Sequence, residues 1–406
     1  MRLKREHYLQ QIRPFYESDL IKVITGIRRS GKSVLMDFIR DEMTEKGVAG
    51  NHIIYISLED FEYEHIKTVQ DLNNEIQGRM IDSEKHYIFI DEIQHVEHFE
   101  KVLASIQATT NSSIFVTGSN SKLLSGELSS LLTGRAVEFE VQPFSFIEVK
   151  EYLELNHDSF SEDLIYEYIK WGGFPVRFDF SREEDILRYL NTLYHGILEH
   201  DIFQRNKRIN KTAFDDISYY LLANAGKEFS IENIANYYKS KHASGISEQT
   251  IYNYLKLLEK AYLIHPVRVY NTVGKEALKA TKKYYATDVG LRTINTNTIN
   301  YEDTFFLDNI IYNELRYRGF QVYVGKTYKS EIDFVAIKDG KKCFLQVSYL
   351  LASEETIRRE FEAFRPISDP SPKYVLSLDK VDMSRDGITH YNIVDFLLGR
   401  KELWIS

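Results

Sequence analysis

The sequence predicts an α/β protein with a parallel sheet in its first third, a helical segment after it and a second, smaller α/β region at the end. Three observations predict this class. A glycine-rich motif joins an apolar, strand-like run to a helix-like run near the amino terminus. Residues 1 to about 140 alternate short apolar runs with helical stretches, which is typical of a parallel sheet. The pattern then becomes helical from about 145 to 225, and strand-like runs return after it.

The glycine-rich motif is Gly26-Ile27-Arg28-Arg29-Ser30-Gly31-Lys32-Ser33, which fits G-x-x-x-x-G-K-[ST] at every fixed position. It follows the apolar run Leu20–Ile24 and opens into Val34–Ile39, which has helical apolar spacing. Glycines let consecutive N–H groups turn toward a phosphate, and the positive helix end adds to the attraction. We therefore predict a P-loop in which Lys32 reaches the β- and γ-phosphates and Ser33 ligates Mg²⁺. The predicted ATP-binding residues are Gly26, Ile27, Arg28, Arg29, Ser30, Gly31, Lys32, Ser33 and Val34.

Composition and charge narrow the class of protein. With 406 residues and 43% hydrophobic content, the chain is long enough for about two to four soluble domains. Its one cysteine, Cys343, excludes an intrachain disulfide, and no apolar run approaches a membrane span. We therefore expect a cytoplasmic protein without a membrane partner. The net charge of -9 argues against a surface coated for nucleic acid but leaves room for one basic face.

Five apolar runs are predicted as the strands of the first sheet, within a P-loop domain of residues 1–144. Their order in space does not follow from the sequence, but handed crossovers and burial on both faces are expected. The predicted strands are Leu20–Thr25, Ile53–Leu58, Tyr87–Ile90, Ile114–Thr117 and Val137–Val141.

Two adjacent carboxylates, Asp91 and Glu92, end the third of these runs. A P-loop needs an acidic partner for Mg²⁺, and Asp91 at the carboxyl end of a strand is placed for it. Glu92, one residue on, faces another direction and is predicted to polarise the attacking water. GTPase sites usually lack this second acid, so the pair favours ATP hydrolysis by a motor-like class of protein. A solvated turn after the strand is the alternative.

Two further groups are candidates for the same site. Asn120 and Ser119 follow the strand that ends near Thr117, where donors could contact the γ-phosphate or hold the water. Arg135 precedes the last strand and is the arginine-finger candidate, supplied across a subunit boundary. A ligand-free turn and a surface arginine are the respective alternatives. The predicted catalytic residues are Lys32, Glu92, Asn120 and Arg135, and the predicted metal ligands are Ser33 and Asp91.

Two regions follow the first domain. Residues 145–225 are predicted as an all-helical lid, interrupted at Gly172-Gly173-Phe174-Pro175. Residues 226–293 are predicted as a winged-helix domain: two short helices, a third at Ser247–Lys260, and a β-rich pair at Tyr262–Tyr270 and Lys283–Thr287. The third helix presents polar residues, and basic residues lie near it, yet several glutamates dilute the charge. Contact with DNA and a purely structural docking role both stay open.

Residues 294–406 are predicted as a separate small α/β domain. The predicted elements are a helix at Phe305–Gly319, strands at Gln321–Val324, Glu331–Lys338 and Lys341–Ser348, a helix near Glu354–Phe364 and a strand at Lys373–Leu378.

Several motifs occur in a specific order over nearly the whole chain. They are Gly26–Ser33, Asp91-Glu92-Ile93-Gln94, Thr117–Ser121 with Leu123-Leu124-Ser125, Gly134-Arg135, Gly172–Pro175, Lys283-Tyr284-Tyr285 with Asp288–Leu291, and Glu331–Val335. Together they resemble prokaryotic AAA-type ATPases that join a P-loop domain to a C-terminal domain of unknown function related to the PD-(D/E)XK nuclease fold. The resemblance implies an additional-strand P-loop fold, ATP and Mg²⁺ as cofactors, and often homo-oligomers.

The resemblance also implies nuclease-like positions near the carboxyl terminus. PD-(D/E)XK nucleases place a helix glutamate, a strand aspartate and an (E/Q)-x-K tripeptide around Mg²⁺. Glu314 fits the helix position, Asp333 the aspartate and Gln346-Val347-Ser348 the tripeptide, with Glu331 beside them. Ser348 stands where lysine is expected and cannot replace its charge. Lys329 and Lys342 are neighbouring lysines, and a degenerate nuclease-like site is the favoured interpretation.

We therefore expect an ATPase whose hydrolysis moves the lid, winged-helix and C-terminal regions, with DNA as an optional partner. Two alternatives stay open: an active metal-dependent nuclease under ATPase control, and a slow nucleotide-gated binding or signalling switch.

Overall fold

The computed structural model describes residues 1–119, 132–242, 245–272, 274, 276–295, 304–328 and 330–404, with only the backbone at 279–282 and 304. The chain forms two compact units. The first contains residues 1–143 and 260–262, and the second contains residues 144–259 and 263–406. The ranges predicted as lid, winged helix and C-terminal domain all fall in the second unit, apart from residues 260–262. The finer division into four domains stays a prediction.

The first unit contains a five-stranded sheet in which every pairing is parallel. The order is β2-β3-β4-β1-β5, so β4 lies between the strand before the glycine-rich loop and the strand that ends in Asp91. This confirms the predicted α/β class and parallel sheet. The strands are β1 (Ile21–Thr25), β2 (Ile53–Ser57), β3 (His86–Asp91), β4 (Ser112–Gly118) and β5 (Ala136–Glu140).

Strands β1, β3 and β4 are buried at every position, as expected of a parallel sheet that is covered on both faces. The third helix begins with a capping box in which Thr68 and Asp71 bond each other's backbone N–H groups. The core takes its apolar residues from alternate strand positions and from the inner helix faces. The helices are α1 (Glu6–Ile12), α2 (Lys32–Glu45), α3 (Val69–Arg79) and α4 (Phe99–Thr109).

The second unit combines helices with a seven-stranded mixed sheet of order β12-β11-β10-β9-β8-β6-β7. Its strands are β6 (Ile264–Asn271), β7 (Glu276–Ala286), β8 (Gln321–Lys326), β9 (Glu331–Lys338), β10 (Lys341–Val347), β11 (Lys373–Ser377) and β12 (Thr389–Asn392). The hairpin predicted as a wing, β6–β7, joins this sheet because β6 pairs in parallel with β8. The β9–β10 turn uses Asp339 and Gly340, both at positive φ, as a tight hairpin requires.

The helices of the second unit begin where capping residues allow. Ser145 and Glu148 form a capping box, and Ser230 and Ser353 each cap a helix with their side chains. Among the described helices, none is long and apolar enough to cross a membrane. The helices are α5 (Phe146–Leu155), α6 (Leu164–Trp171), α7 (Glu183–Ile197), α8 (Lys211–Ala223), α9 (Ile231–Lys241), α10 (Glu248–Lys260), α11 (Gly290–Thr293), α12 (Thr304–Tyr317), α13 (Glu354–Glu362) and α14 (Ile393–Leu397).

The Gly172–Pro175 segment contacts the Asp288–Leu291 segment. Asp288 accepts hydrogen bonds from the N–H groups of Gly173 at 2.7 Å and Gly290 at 2.8 Å. A Cβ atom on Gly172, which has a φ of 70°, would overlap the Asp288 carboxylate. Burial raises the pKa of Asp288 to about 6, with the two N–H groups opposing the shift. This contact ties the end of α6 to the segment that follows β7.

Candidate functional site

The loop between β1 and α2 has an unusual backbone. Gly26, Arg29 and Gly31 have φ values of 134°, 66° and 98°. A Cβ atom on Gly26 would overlap the carbonyl oxygen of Val141, so only glycine fits there. The loop therefore packs closely against the chain that follows β5.

Helix α2 begins at Lys32, directly after the loop. The first four N–H groups of a helix have no acceptor within it, and Gly31 offers no side-chain cap. Lys32 is buried, and its Nζ donates to the carbonyl oxygens of Gly26 and Ile27, each at 3.1 Å. The buried Ser30 hydroxyl has no hydrogen-bond partner among the described residues. This turn thus gathers N–H donors, an ammonium group and an unpaired hydroxyl.

Asp91 and Glu92 lie at the same edge, after β3. The Asp91 carboxylate accepts hydrogen bonds from the hydroxyl groups of Thr117 and Ser33. Burial raises the pKa of Asp91, and the two hydroxyl groups oppose that shift. The Thr117 oxygen also accepts from the Glu92 N–H at 2.9 Å, so one hydroxyl group holds both acidic residues.

Glu92 adopts a left-handed backbone conformation, with a φ of 55°. Its carboxylate lies 3.9 Å from Lys32 Nζ and accepts a hydrogen bond from Gln94 Nε2. Gln94 Nε2 also lies 3.4 Å from Ser119 Oγ. A left-handed conformation costs a non-glycine residue about 1–2 kcal/mol, and such strain concentrates at functional sites. The surrounding hydrogen bonds therefore fix the direction of this carboxylate.

The donor set of this edge fits ATP and Mg²⁺. The helix start, Lys32 and the unpaired Ser30 hydroxyl are donors for phosphate oxygens. The Ser33 hydroxyl and the Asp91 carboxylate already contact each other, and oxygen ligands of this kind suit Mg²⁺. Seven of the residues predicted to bind ATP or metal, Gly26, Ile27, Ser30, Gly31, Lys32, Ser33 and Asp91, thus meet here with the predicted base, Glu92.

An ion-pair network borders the loop. Arg28 lies 2.9 Å from Glu59, and His95 lies 3.8 Å from the same carboxylate. His95 and Arg28 lower the pKa of Glu59 to about 2, against the effect of burial. One ligand atom from each of Glu59, Glu92 and His95 lies within 4.8 Å of the others. Arg28 is therefore held by an acid at the end of β2.

Three residues that the sequence did not assign to the site help to shape it: Arg5, Thr117 and Gln94. Buried Arg5 donates to the carbonyl oxygens of Ser30 at 2.9 Å and Gln142 at 2.8 Å, joining the loop to the chain after β5. Thr117 and Gln94 stand inside motifs of the resemblance and could have been found there. Arg5 gives no such signal, because its partners are distant in sequence.

The two remaining catalytic candidates do not join this site. Asn120 lies outside the described residues. Arg135 is exposed and directly precedes β5, whose first residue pairs with Ile21 at the start of β1. It therefore lies at the amino edge of the sheet, whereas the loop follows the carboxyl end of β1. Within one chain, Arg135 does not reach the phosphate-binding loop.

A cavity of about 1020 Å³ lies in the second unit. Its polar lining includes Asp308, Glu331, Asp333, Gln346, Arg359 and Glu360. Asp333 accepts from the Val347 N–H at 2.8 Å, and Gln346 accepts from the Asp333 N–H at 2.7 Å and donates to Glu360 at 3.0 Å. The antiparallel β9–β10 register explains the contact between Asp333 and Gln346. Phe334 pairs with Leu345, and Asp333 and Gln346 are the next residues on the two strands. The structure thus brings Glu331, Asp333 and Gln346 together.

Lys283, from β7, supplies a cation to this group. Its Nζ lies 2.7 Å from Glu331, and burial would lower its pKa, but Asp333, Glu331 and Asp308 raise it. Burial raises the pKa of Asp333 to about 6 and that of Asp308 well above its ordinary value, and Lys283 opposes both shifts. The Asp308 Oδ1 atom is buried without a hydrogen-bond partner among the described residues.

Glu314 does not line this cavity. It pairs with Arg318 at 2.6 Å on another side of α12. Helix α12 does supply a carboxylate to the cavity, as predicted, but the residue is Asp308. Asp308 and Glu314 are six residues apart, which turns the helix by about 600°, so their side chains point in different directions. Lys342 pairs with Asp369 at 2.7 Å, and Ser348 donates to the Leu350 carbonyl at 3.2 Å. Lys329 lies outside the described residues.

Polar residues of the third helix of the predicted winged-helix domain, predicted at Ser247–Lys260, make local contacts. Gln249 donates to Asn253 at 3.0 Å, and Lys256 pairs with Glu259 at 2.7 Å. These contacts give no preference between a DNA surface and a docking module.

Two family models match the chain. An AAA domain matches residues 18–150, and a domain of unknown function (DUF8612) matches residues 162–300. The second match covers most of the ranges predicted as lid and winged helix.

Relatives match over most of the chain. An uncharacterized protein of Haemophilus influenzae is 38% identical over 98% of this chain and 98% of its own length. Uncharacterized protein MJ1544 of Methanocaldococcus jannaschii is 30% identical over 89% of this chain and 81% of its own length.

Solved structures are also similar. Orc1 of Aeropyrum pernix in complex with DNA has a TM-score of 0.32 and 10% identity, covering 73% of this chain and 92% of its own. AMPPCP-bound DnaA of Aquifex aeolicus has a TM-score of 0.33 and 15% identity, covering 62% and 85%.

Proposed function

The chain belongs to the family of the uncharacterized Haemophilus influenzae protein and MJ1544 and carries an AAA domain, and from that premise we propose that it is an Mg²⁺-dependent ATPase. The proposed site is the carboxyl edge of the five-stranded sheet, with Gly26–Ser33 as the phosphate-binding loop. An AAA domain supports nucleotide binding and hydrolysis as the general activity. The roles of individual residues are our proposal.

One observation carries this proposal: buried Lys32 lies 3.9 Å from the carboxylate of Glu92. The group that would hold phosphate and the group that would activate water therefore lie on one side of the loop. If Lys32 and Glu92 lay far apart, the loop would support nucleotide binding but not hydrolysis.

Each residue has a distinct part in the proposed reaction. The helix start and Lys32 bind the phosphate oxygens, so Lys32 exchanges its carbonyl partners for the nucleotide. Glu92 accepts the proton of a water and is held in direction by Thr117 and Gln94. Ser33 and Asp91 would hold Mg²⁺, which supplies charge neutralisation when bound.

Phosphate release by the purified full chain with ATP and Mg²⁺ tests the proposal. We expect Lys32→Ala to lower the rate at least about 100-fold, because electrostatic stabilisation of transferred phosphoryl groups is worth several kcal/mol. Lys101→Ala, an exposed lysine on α4, is the matched control and should hydrolyse ATP like the wild type. Undiminished hydrolysis in Lys32→Ala would refute the site.

We further propose that hydrolysis moves the ranges interpreted as lid, winged helix and C-terminal domain, since losing the γ-phosphate removes contacts that hold a closed state. Arg135, which does not reach the loop of its own chain, is proposed to act on a neighbouring copy in a homo-oligomer. DNA is a proposed partner of the winged-helix range. ATPase rates that do not depend on protein concentration and are equal in Arg135→Ala would contradict the oligomeric part.

A second candidate activity, metal-dependent DNA cleavage, is favoured by Lys283. The interpretation of a degenerate nuclease-like site rested on the missing lysine, and a lysine from β7 lies 2.7 Å from Glu331 beside Asp333. The unpaired Asp308 oxygen offers one ligand for a cation. One observation argues against this activity. Among the described residues of this cavity, no three His, Cys, Asp or Glu side chains bring their ligand atoms within 4.8 Å of one another.

Cleavage of plasmid and single-stranded DNA with Mg²⁺ or Mn²⁺ tests this second activity. We expect any cleavage to be lost in Asp333→Ala and Lys283→Met and retained in Glu314→Gln, which lies outside the cavity. Cleavage that survives Asp333→Ala, or no cleavage of any substrate, would reject it and leave the scaffold interpretation.

A further inference from the structure

Two histidines and an aspartate meet at the amino edge of the five-stranded sheet. His52 directly precedes β2, and His86 is the first residue of β3. The parallel register pairs Ile53 with Tyr87, so the two histidines stand side by side. Asp82 comes from the loop between α3 and β3. This cluster lies at the opposite edge from the phosphate-binding loop, and the proposed ATPase does not use it.

The ligand atoms of these residues lie close together. One ring nitrogen from each histidine and one carboxylate oxygen of Asp82 lie within 4.8 Å of one another. His52 Nε2 is 3.0 Å from Asp82 Oδ2, and the two rings meet edge to face with centroids 4.9 Å apart. A tetrahedral zinc site with bonds of about 2.0–2.2 Å separates its ligand atoms by about 3.4 Å. Movements of about an ångström would therefore complete such a site.

Backbone contacts orient two of these ligands. His86 Nδ1 lies 2.9 Å from the Glu84 carbonyl oxygen, so Nδ1 donates its proton there and Nε2 carries the lone pair. A histidine that binds metal commonly donates its other N–H to a carbonyl oxygen in this way. The Nε2 atom accepts only a long contact, 3.4 Å, from the Ile81 N–H. Asp82 is anchored likewise, because Oδ1 accepts from the Glu84 N–H at 2.9 Å and Oδ2 remains for His52.

We propose that His52, Asp82 and His86 form a structural binding site for a divalent transition metal such as Zn²⁺. Two imidazole nitrogens and one carboxylate suit Zn²⁺ or Co²⁺, whereas Mg²⁺ prefers oxygen ligands. Glu84 Oε2 lies 3.9 Å from His52 Nε2 and offers a fourth ligand. The bound ion would fasten the loop before β3 to the start of β2.

The alternative is that these side chains only satisfy one another. His52 and Asp82 form a hydrogen bond at 3.0 Å, and buried His86 is hydrogen-bonded through both nitrogens. The two accounts differ in what happens when metal is added, because only a metal site binds one equivalent and stabilises the fold.

Metal titration of the chelator-treated full chain tests the proposal, with Zn²⁺ measured by equilibrium dialysis and Co²⁺ by its visible absorption. We expect one equivalent to bind at this cluster and raise the thermal midpoint. His52→Ala and Asp82→Ala should each weaken binding at least about 10-fold. Both positions are partly exposed, so these variants avoid replacing buried His86.

Two other histidines provide the controls. His65 lies on the surface beside Glu75, away from the cluster. The His65→Ala variant should therefore bind metal as the wild type does. His95 belongs to the Glu59–Glu92 group, so loss of binding in His95→Ala but not in His52→Ala would place the metal at the nucleotide edge and overturn the proposal. Absence of stoichiometric binding, or equal binding in His52→Ala and Asp82→Ala, would also overturn it.

Discussion

The phosphate-binding edge of the first unit and the cavity of the second unit both place a buried lysine beside buried carboxylates, yet they hold it differently. Lys32 Nζ lies 3.9 Å from the Glu92 carboxylate and donates hydrogen bonds to carbonyl groups of the loop. Lys283 Nζ lies 2.7 Å from Glu331, and Asp333 and Asp308 also act on it. A loosely held ammonium group can exchange its partners for a ligand. A tightly paired one mainly compensates buried charge.

The sharpest test of this difference replaces each lysine with methionine. We expect Lys283→Met to lower the free energy of unfolding by about 3–5 kcal/mol, because it leaves buried carboxylates uncompensated. Lys32→Met removes hydrogen bonds to two neutral carbonyl groups and a 3.9 Å contact with Glu92, so we expect a smaller loss, of less than about 1.5 kcal/mol. Urea unfolding followed by far-ultraviolet circular dichroism measures both losses, and tryptophan fluorescence reports the second unit separately, because both tryptophans, Trp171 and Trp404, lie there. Equal losses would mean that both lysines have the same role.

The second test concerns the backbone on which the first site depends. Gly26→Ala forces a Cβ atom against the Val141 carbonyl at a φ of 134°, so we expect about 2–4 kcal/mol of destabilisation and loss of nucleotide binding. Gly47→Ala is the matched control: its φ is 89°, but a Cβ atom would meet nothing within 4 Å among the described residues. A fluorescent ATP analogue measures binding. Normal binding in Gly26→Ala would show that the loop is not shaped by this contact.

A third test concerns Lys22, a buried lysine of β1 whose Nζ donates to the Ser18 carbonyl and to Ser113. Neighbouring carboxylates raise the pKa of Lys283 despite its burial, whereas Lys22 has no such effect large enough to offset burial. Burial lowers the pKa of Lys22 from 10.5 to about 7. Between these values the unfolded chain binds more protons, so this group makes stability rise with pH. We expect a gain of about 2 kcal/mol between pH 7 and 9 in the wild type, and a flatter profile in Lys22→Met. Urea unfolding at pH 7 and pH 9 measures the free energy of unfolding of both proteins. An equal change with pH in the wild type and in Lys22→Met would contradict the expectation.

The smallest effect concerns Thr117, which holds Asp91 and Glu92 together. Thr117→Val removes one hydrogen bond to each, and we expect kcat for ATP hydrolysis to fall about 5-fold, since a loss of about 1 kcal/mol of transition-state stabilisation lowers a rate by about that factor. Thr117→Ser keeps the hydroxyl group and should remain within about twofold of the wild type. Equal rates in Thr117→Val and Thr117→Ser would show that hydrolysis depends neither on the Thr117 contact with the Asp91 carboxylate nor on its contact with the Glu92 N–H group.

The elements of the first unit could be predicted because their signals are local. All five strands begin and end within about two residues of their predicted bounds, and the phosphate-binding loop is one continuous segment. Strand order could not be read, so the adjacency of Thr117 and Asp91 became visible only in the sheet. Arg135 shows the same limit, because its distance from the loop depends on the direction in which β5 runs.

The cavity of the second unit could be predicted only in part. Asp333 and Gln346 were assigned from the resemblance to nuclease-like motifs, and the β9–β10 hairpin places them on neighbouring strands. Lys283 was not assigned there, because the β6–β8 pairing that brings its hairpin into the sheet joins strands far apart in sequence. On α12, periodicity identified the helix but did not distinguish Asp308 from Glu314.

The most direct test of the central claim is nucleotide turnover in Glu92→Gln. We expect this variant to bind ATP with nearly wild-type affinity, because Lys32 and the loop are intact, while phosphate release falls by about 10²–10⁴-fold, the usual contribution of a general base. A filter-binding assay for ATP and a phosphate-release assay on the same sample measure both quantities. Hydrolysis at the wild-type rate in Glu92→Gln would contradict the assignment of the catalytic site.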